Sequence, residues 1–181
     1  MGFTYKELGA RCIIIAVLLA GLGKANAEEG ISSANVDIVV AIKAKTCTAG
    51  WAGKGATVDF GKVSIHDIPF IGDVLPDSPA KKTFSLFLTN CDATVSKVIV
   101  TASGPVDHWS DYFANNGTAT GVAIVVQDAE SNVRLINGKS IEFNVVDNAA
   151  EMKFSAGLVN NKSGLSPGTI SSVVTLNMTY E

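Results

Sequence analysis

From Gly168 to Glu181, apolar and polar residues alternate. Ile170, Ser172, Val174, Leu176, Met178 and Tyr180 fall on one face, and Thr169, Ser171, Val173, Thr175, Asn177 and Thr179 on the other. A period of two, rich in β-branched residues, predicts a strand with one buried face. It runs to the penultimate residue and contains no Lys or Pro to blunt its edge. A bare apolar edge invites pairing through its free N–H and C=O groups. Either an earlier strand covers it or another polypeptide does.

The same alternation recurs near the other end of the chain. In Val36-Asp-Ile-Val-Val-Ala-Ile42 the apolar residues Val36, Ile38, Val40 and Ile42 share a face. Read alone, this is a first strand pairing within its own sheet. Glu28 to Ala34, small and polar, is expected to be disordered on its own. Further strands are predicted at Lys82 to Cys91, where Phe84, Leu86 and Leu88 point one way, and at Lys97 to Ser103. Others fall at Val122 to Gln127, at Val133 to Ile136, at Ser140 to Val146 and at Glu151 to Leu158. Short strands are expected at Thr57 to Phe60 and Lys62 to Ile65, inside a loop-rich stretch from Thr48 to Pro79. Asn137-Gly138 is a tight-turn signal between two of these runs. No long segment has a helical apolar period, and short strands split by turn clusters predict a β-sandwich.

Met1 to Ala27 changes where this sandwich is expected to live. Lys6 and Arg11 give a basic start, Cys12 to Leu22 is an apolar run, and Ala25-Asn26-Ala27 is a small-x-small cleavage site. That is the pattern of a secretory signal peptide, and its apolar run is too short to span a bilayer. Removing it takes the net charge from −3 to −5, with 11 basic and 16 acidic residues left. An acidic chain without a basic run argues against nucleic acid and anionic membrane surfaces. Two cysteines remain, Cys47 and Cys91. In an exported chain they most simply form one disulfide.

Candidate chemistry is sparse. There is no Gly-x-Ser-x-Gly, no paired-His metal motif and no phosphate loop, so neither an enzyme nor a metal or cofactor site is expected. His66 reads as a surface loop residue and Trp51 as core. The aromatic loop holding His108, Trp109, Tyr112 and Phe113 reads as a cap on the end of the sandwich, with a recognition patch as the other possibility. Asn116-Gly-Thr, Asn161-Lys-Ser and Asn177-Met-Thr match the short glycosylation acceptor pattern.

Several of these features occur together in a known family. A cleaved signal precedes an alternating extension that ends at a first cysteine, Val36-Asp-Ile-Val-Val-Ala-Ile-Lys-Ala-Lys-Thr-Cys47. The second cysteine ends a strand, Phe84-Ser-Leu-Phe-Leu-Thr-Asn-Cys91, and the C-terminal stretch has Gly168 fourteenth from the end and Tyr180 penultimate. Asn116-Gly-Thr-Ala-Thr-Gly-Val-Ala-Ile-Val-Val-Gln-Asp also fits. The chain resembles the type 1-like pilin subunits of chaperone–usher fimbriae over its whole mature length. The resemblance implies an all-β fold, an incomplete immunoglobulin-like β-sandwich lacking its seventh strand and completed by a donor strand.

It further implies a signal peptide over 1–27, a donor-strand extension over 28–45 and a pilin domain over 46–181. Gly168, Ile170, Val174, Leu176, Met178 and Tyr180 would border the acceptor groove. Ala34, Val36, Ile38, Val40 and Ile42 would be the donor residues. The implied partners are a periplasmic chaperone, an outer-membrane usher and neighbouring subunits in a head-to-tail fibre on the cell surface. Chaperone–pilin complementation of this kind is a known example of β-strand addition. The alternative is a single-domain surface binding module that uses the Trp109–Phe113 loop.

Overall fold

A computed structural model describes residues 30–31, 33–42, 47–51, 57–71, 75–161 and 164–181. The signal sequence lies outside these residues. Among the described residues there are twelve strands: β1 (Gly30–Ile31), β2 (Ser33–Ile42), β3 (Thr48–Trp51), β4 (Thr57–Asp59), β5 (Val63–Ser64), β6 (Lys81–Thr89), β7 (Lys97–Ser103), β8 (Phe113–Ala114), β9 (Val122–Asp128), β10 (Ser140–Asn144), β11 (Ala150–Asn160) and β12 (Thr169–Tyr180). One sheet runs in the order β10-β7-β12-β2-β4 and the other in the order β3-β6-β11-β9-β8, with β1 and β5 forming a small separate pair. The two five-stranded sheets form a β-sandwich.

Alternation decides which face of each strand enters the space between the sheets. On β12 the residues Ile170, Ser172, Val174, Leu176 and Met178 are buried, as are Val98, Val100 and Ala102 on β7 and Met152, Phe154, Ala156 and Leu158 on β11. Strand β9 is buried at all seven positions. Its outward-facing Ala123 and Val125 join Leu75, Tyr112 and Val159 in a second, smaller apolar cluster. This is why its sequence reads as a continuous apolar run. The fully buried Phe154 stacks on Phe84 at 5.4 Å and meets Phe143, on the edge strand β10 of the opposite sheet, edge-on at 5.4 Å.

Three expectations need correction. Thr48 to Trp51 is a strand, because the adjacent disulfide Cys47–Cys91 sets it beside β6. The stretch expected to be disordered on its own is here paired: Gly30–Ile31 with Val63–Ser64, and Ser33–Ala34 as the start of β2. Val133 to Ile136 forms only a bridge, Gln127↔Arg134. Asn137-Gly138 therefore does not close a hairpin. Gly138, at φ 80°, donates to Ala102, and the chain crosses to β10, which pairs with β7 in the other sheet.

Candidate functional site

The last strand is covered by the N-terminal one. β2 runs parallel to β12 through ten paired positions, from Ser33↔Thr169 to Ile42↔Met178. The other named strand pairs are antiparallel. The opposite edge of β2 pairs with β4 through Asn35↔Asp59, Val36↔Val58 and Asp37↔Thr57. Two further bonds secure that edge: Phe60 N–H donates to the Ala34 carbonyl at 2.9 Å, and the Thr57 hydroxyl donates to Asp37 at 2.9 Å. Removing β2 from this sheet would strip β12 of a neighbour and leave β4 with none. The resulting gap between β12 and β4 is the candidate site.

Its filling follows from the period of two. Ala34, Val36 and Ile38 are each fully buried, and Val40 is partly buried against the same core. Their partners across the strand pair are Ile170, Ser172, Val174 and Leu176. The backbone of Ile42 pairs with Met178. The alternate residues Asn35, Asp37 and Val39 face out. Within this chain the backbone of the five expected donor residues pairs with β12 at Ile170, Ser172, Val174, Leu176 and Met178, whereas Gly168 and Tyr180 lie beyond the paired stretch.

Ser172 was visible on the inward face but was not assigned to the groove. Its hydroxyl is buried beside Val36 and has no hydrogen-bond partner among the described residues. The Tyr180 hydroxyl likewise has none, and burial pushes this phenol above its ordinary pKa. The end of β12 is held by the start of β7. Ser96 and Lys97 N–H groups donate to the Glu181 carbonyl, and Glu181 N–H donates to that of Lys97. Lys97 also donates to Glu142 at 3.0 Å, a bond that holds its ammonium above the usual lysine range.

At the other end of the groove, Gly168 lies against the backbone of Thr118 and Ala119, where a Cβ would collide with main-chain atoms. Thr118 and Thr169 exchange bonds across this contact, with Thr169 N–H donating to the Thr118 hydroxyl at 2.9 Å. Gly168→Ala is expected to push these segments apart and lower stability by about 1–3 kcal/mol, as overpacking does. An unchanged urea midpoint for that variant would contradict this account of the glycine.

The aromatic loop divides. Tyr112 and Phe113 are buried, whereas His108 and Trp109 are exposed, Trp109 by 67%. Asp107 organises the loop by accepting from Trp109 N–H, the Ser110 hydroxyl and the Asn161 amide. Beside it lies a shallow cavity of about 570 Å³ that includes Trp109, Tyr112, Arg134, Ile136 and Lys139. Arg134 donates to the Tyr112 hydroxyl at 2.7 Å and lies over its ring. Trp51 is partly buried against the core, 6.1 Å from Phe84, and His66 is exposed in a 3₁₀ turn. Among the described residues no group of three or more His, Cys, Asp or Glu side chains could hold a metal ion.

The fimbrial protein family matches residues 35–181. The S-fimbrial adhesin protein SfaS of Escherichia coli O6:K15:H31 is 36% identical over 124 residues, 68% of this chain and 72% of that protein. Protein FimG of Escherichia coli K12 is 29% identical over 167 residues, 91% of this chain and 95% of its own length. Among solved structures, the P pilus rod subunit PapA has a similar fold, with a TM-score of 0.58 and 22% identity, covering 76% of this chain and 100% of that one.

Proposed function

The chain belongs to the fimbrial protein family and is a structural subunit of a surface fimbria, and from that premise we propose that it polymerises by strand donation through the groove beside β12. Its relatives are fimbrial proteins rather than enzymes. The observation that carries the proposal is that β12 is completed along ten positions by β2, a strand that precedes Cys47 in the chain. β2 is the N-terminal extension, joined to the sandwich only through the residues before Cys47. In the fibre, Ala34, Val36, Ile38, Val40 and Ile42 of one subunit would occupy the groove bordered by Gly168, Ile170, Val174, Leu176, Met178 and Tyr180 of another. Val36 and Ile38 each gain about 1.5–3 kcal/mol on full burial. Main-chain bonds add affinity, and the alternate side chains give register.

Such a contact joins two different surfaces of the same molecule, so it is head-to-tail and does not close on itself. Before assembly, a periplasmic chaperone would fill the groove, and an outer-membrane usher would be the place of exchange. The acidic chain, the expected signal over 1–27 and the single disulfide accord with that route.

Deleting residues 28–42 is expected to leave a complex with the chaperone intact, because the chaperone then fills the groove. The same deletion should abolish incorporation into fibres, because the donor is gone. Co-purification and blotting of sheared fibres measure the two. Fibres that still contain the truncated protein would rule out strand donation by this segment.

A further inference from the structure

We propose that β2 is an internal latch: seated in its own groove, it makes the subunit a closed monomer that neither donates nor accepts a strand. This rests on the strand-donation reading above and concerns how that same groove is regulated. The closed arrangement uses up both halves of the polymer contact at once. Ala34, Val36 and Ile38 are fully buried against the chain's own core, so they are not available to a neighbour. β12 is paired over ten positions and has no free edge there. β1 extends the closure, since Gly30 and Ile31 pair with Ser64 and Val63.

The covalent structure dictates that this closure is parallel. Four residues separate Ile42 from Cys47, and Cys47 is bridged to Cys91. Cys91 lies at the Tyr180 end of β12, since β7 begins six residues later and pairs Val98 with Tyr180. Five Cα–Cα steps span at most about 19 Å. Reversing β2 in the same register would carry Ile42 to the Ile170 end, roughly 26 Å away along the strand at about 3.3 Å per residue. The tether is too short for that. A strand from another molecule carries no such tether and can enter in either direction. Antiparallel pairing is slightly more stable per residue, so an untethered strand has a way to displace the latch that the chain's own strand lacks.

The tether also sets how strongly the latch is favoured. A short linker gives an effective concentration on the order of millimolar. Against the same strand supplied at 10 μM, the latch wins by about a hundredfold on that basis. Opening therefore requires a competitor that binds better than the chain's own strand, or one delivered at higher local concentration.

The experiment uses the full chain from Glu28 and a labelled synthetic peptide of residues 30–42. At 10 μM peptide, the Ile38→Asp variant, whose latch would have to bury an unpaired carboxylate, is expected to be occupied. The wild-type protein should be occupied in only about one molecule in a hundred. A second variant, Val39→Cys with Thr175→Cys, joins two outward positions that face each other across β2 and β12. It should cross-link within the monomer and, when oxidised, refuse the peptide even at millimolar concentration. Reduction of the new bridge should restore uptake.

Equal uptake by wild type and Ile38→Asp would overturn the latch while leaving strand donation standing. No uptake by either folded protein would overturn strand donation and the latch with it. Failure of the cross-link to form within monomers would overturn the latch even if Ile38→Asp does not fold.

Discussion

Phe154→Ala is expected to lower the free energy of unfolding by about 3–5 kcal/mol, the usual cost of truncating a buried aromatic. Phe154 has no exposed surface and touches both layers, stacking on Phe84 within its own sheet and meeting Phe143 of the other at 5.4 Å. The substitution removes an aromatic contact between the sheets and leaves a cavity that rigid strands close poorly. A domain of ordinary stability has about 5–15 kcal/mol in all, so the variant should be partly unfolded near body temperature. Urea denaturation followed by near-UV circular dichroism measures this. A loss below about 1 kcal/mol would mean that the site collapses freely, against the packing described. Phe154→Leu, which keeps most of the volume, should lose much less.

Replacing Cys91 with Ala is expected to cost about 2–5 kcal/mol. The bridge joins residues 44 apart, and chain entropy alone places its contribution near 4 kcal/mol for a loop of that size. It also sets β3 beside β6, where Ala49 pairs with Leu88 and Trp51 with Leu86. Cys47→Ala should cost the same, and the double variant no more than either single, because both remove one bond. The melting temperature should fall by roughly 4–20 °C, at 2–4 °C per kcal/mol for a chain of this length. A double variant that loses twice as much would show that the two cysteines act separately.

How much was legible in the sequence varied from strand to strand. β7 was found at its observed bounds, and β6, β9, β11 and β12 within one or two residues, because each buries a face or a whole strand and the side chains record it. β3 was not found: Thr-Ala-Gly-Trp has no apolar alternation, and a disulfide rather than a pattern brings it to its partner. Val133 to Ile136 has the composition of a strand, but Asn132 at φ 57° and the turn at Gly138 take the chain away from the sheet after one bridge. The inward residues of β12 and Val36, Ile38 and Val40 of β2 were identifiable from alternation, whereas the buried Ala34 was reached only through the family resemblance; an earlier strand covering β12 was one of the two possibilities foreseen. The direction of pairing was not legible. Alternation fixes which face is buried and carries no information about polarity, which here follows from the distance between Ile42 and Cys47.

The placement of β2 between two strands has a consequence for inheritance. In the closed monomer its inward side chains fit the chain's own β12, and in the fibre proposed above the same side chains would fit the β12 of a neighbour made from the same or a sister gene. On that proposal a change at Val36 or Ile38 would be judged by two pockets in the lifetime of one molecule, drift at these positions would have to be matched in β12, and a change that tightened only one of the two fits would shift the balance between storage and assembly. Asn35, Asp37 and Val39, which face solvent in the same strand, would carry no such double constraint, and among the described residues the Asp37 side chain answers only to the Thr57 hydroxyl on β4.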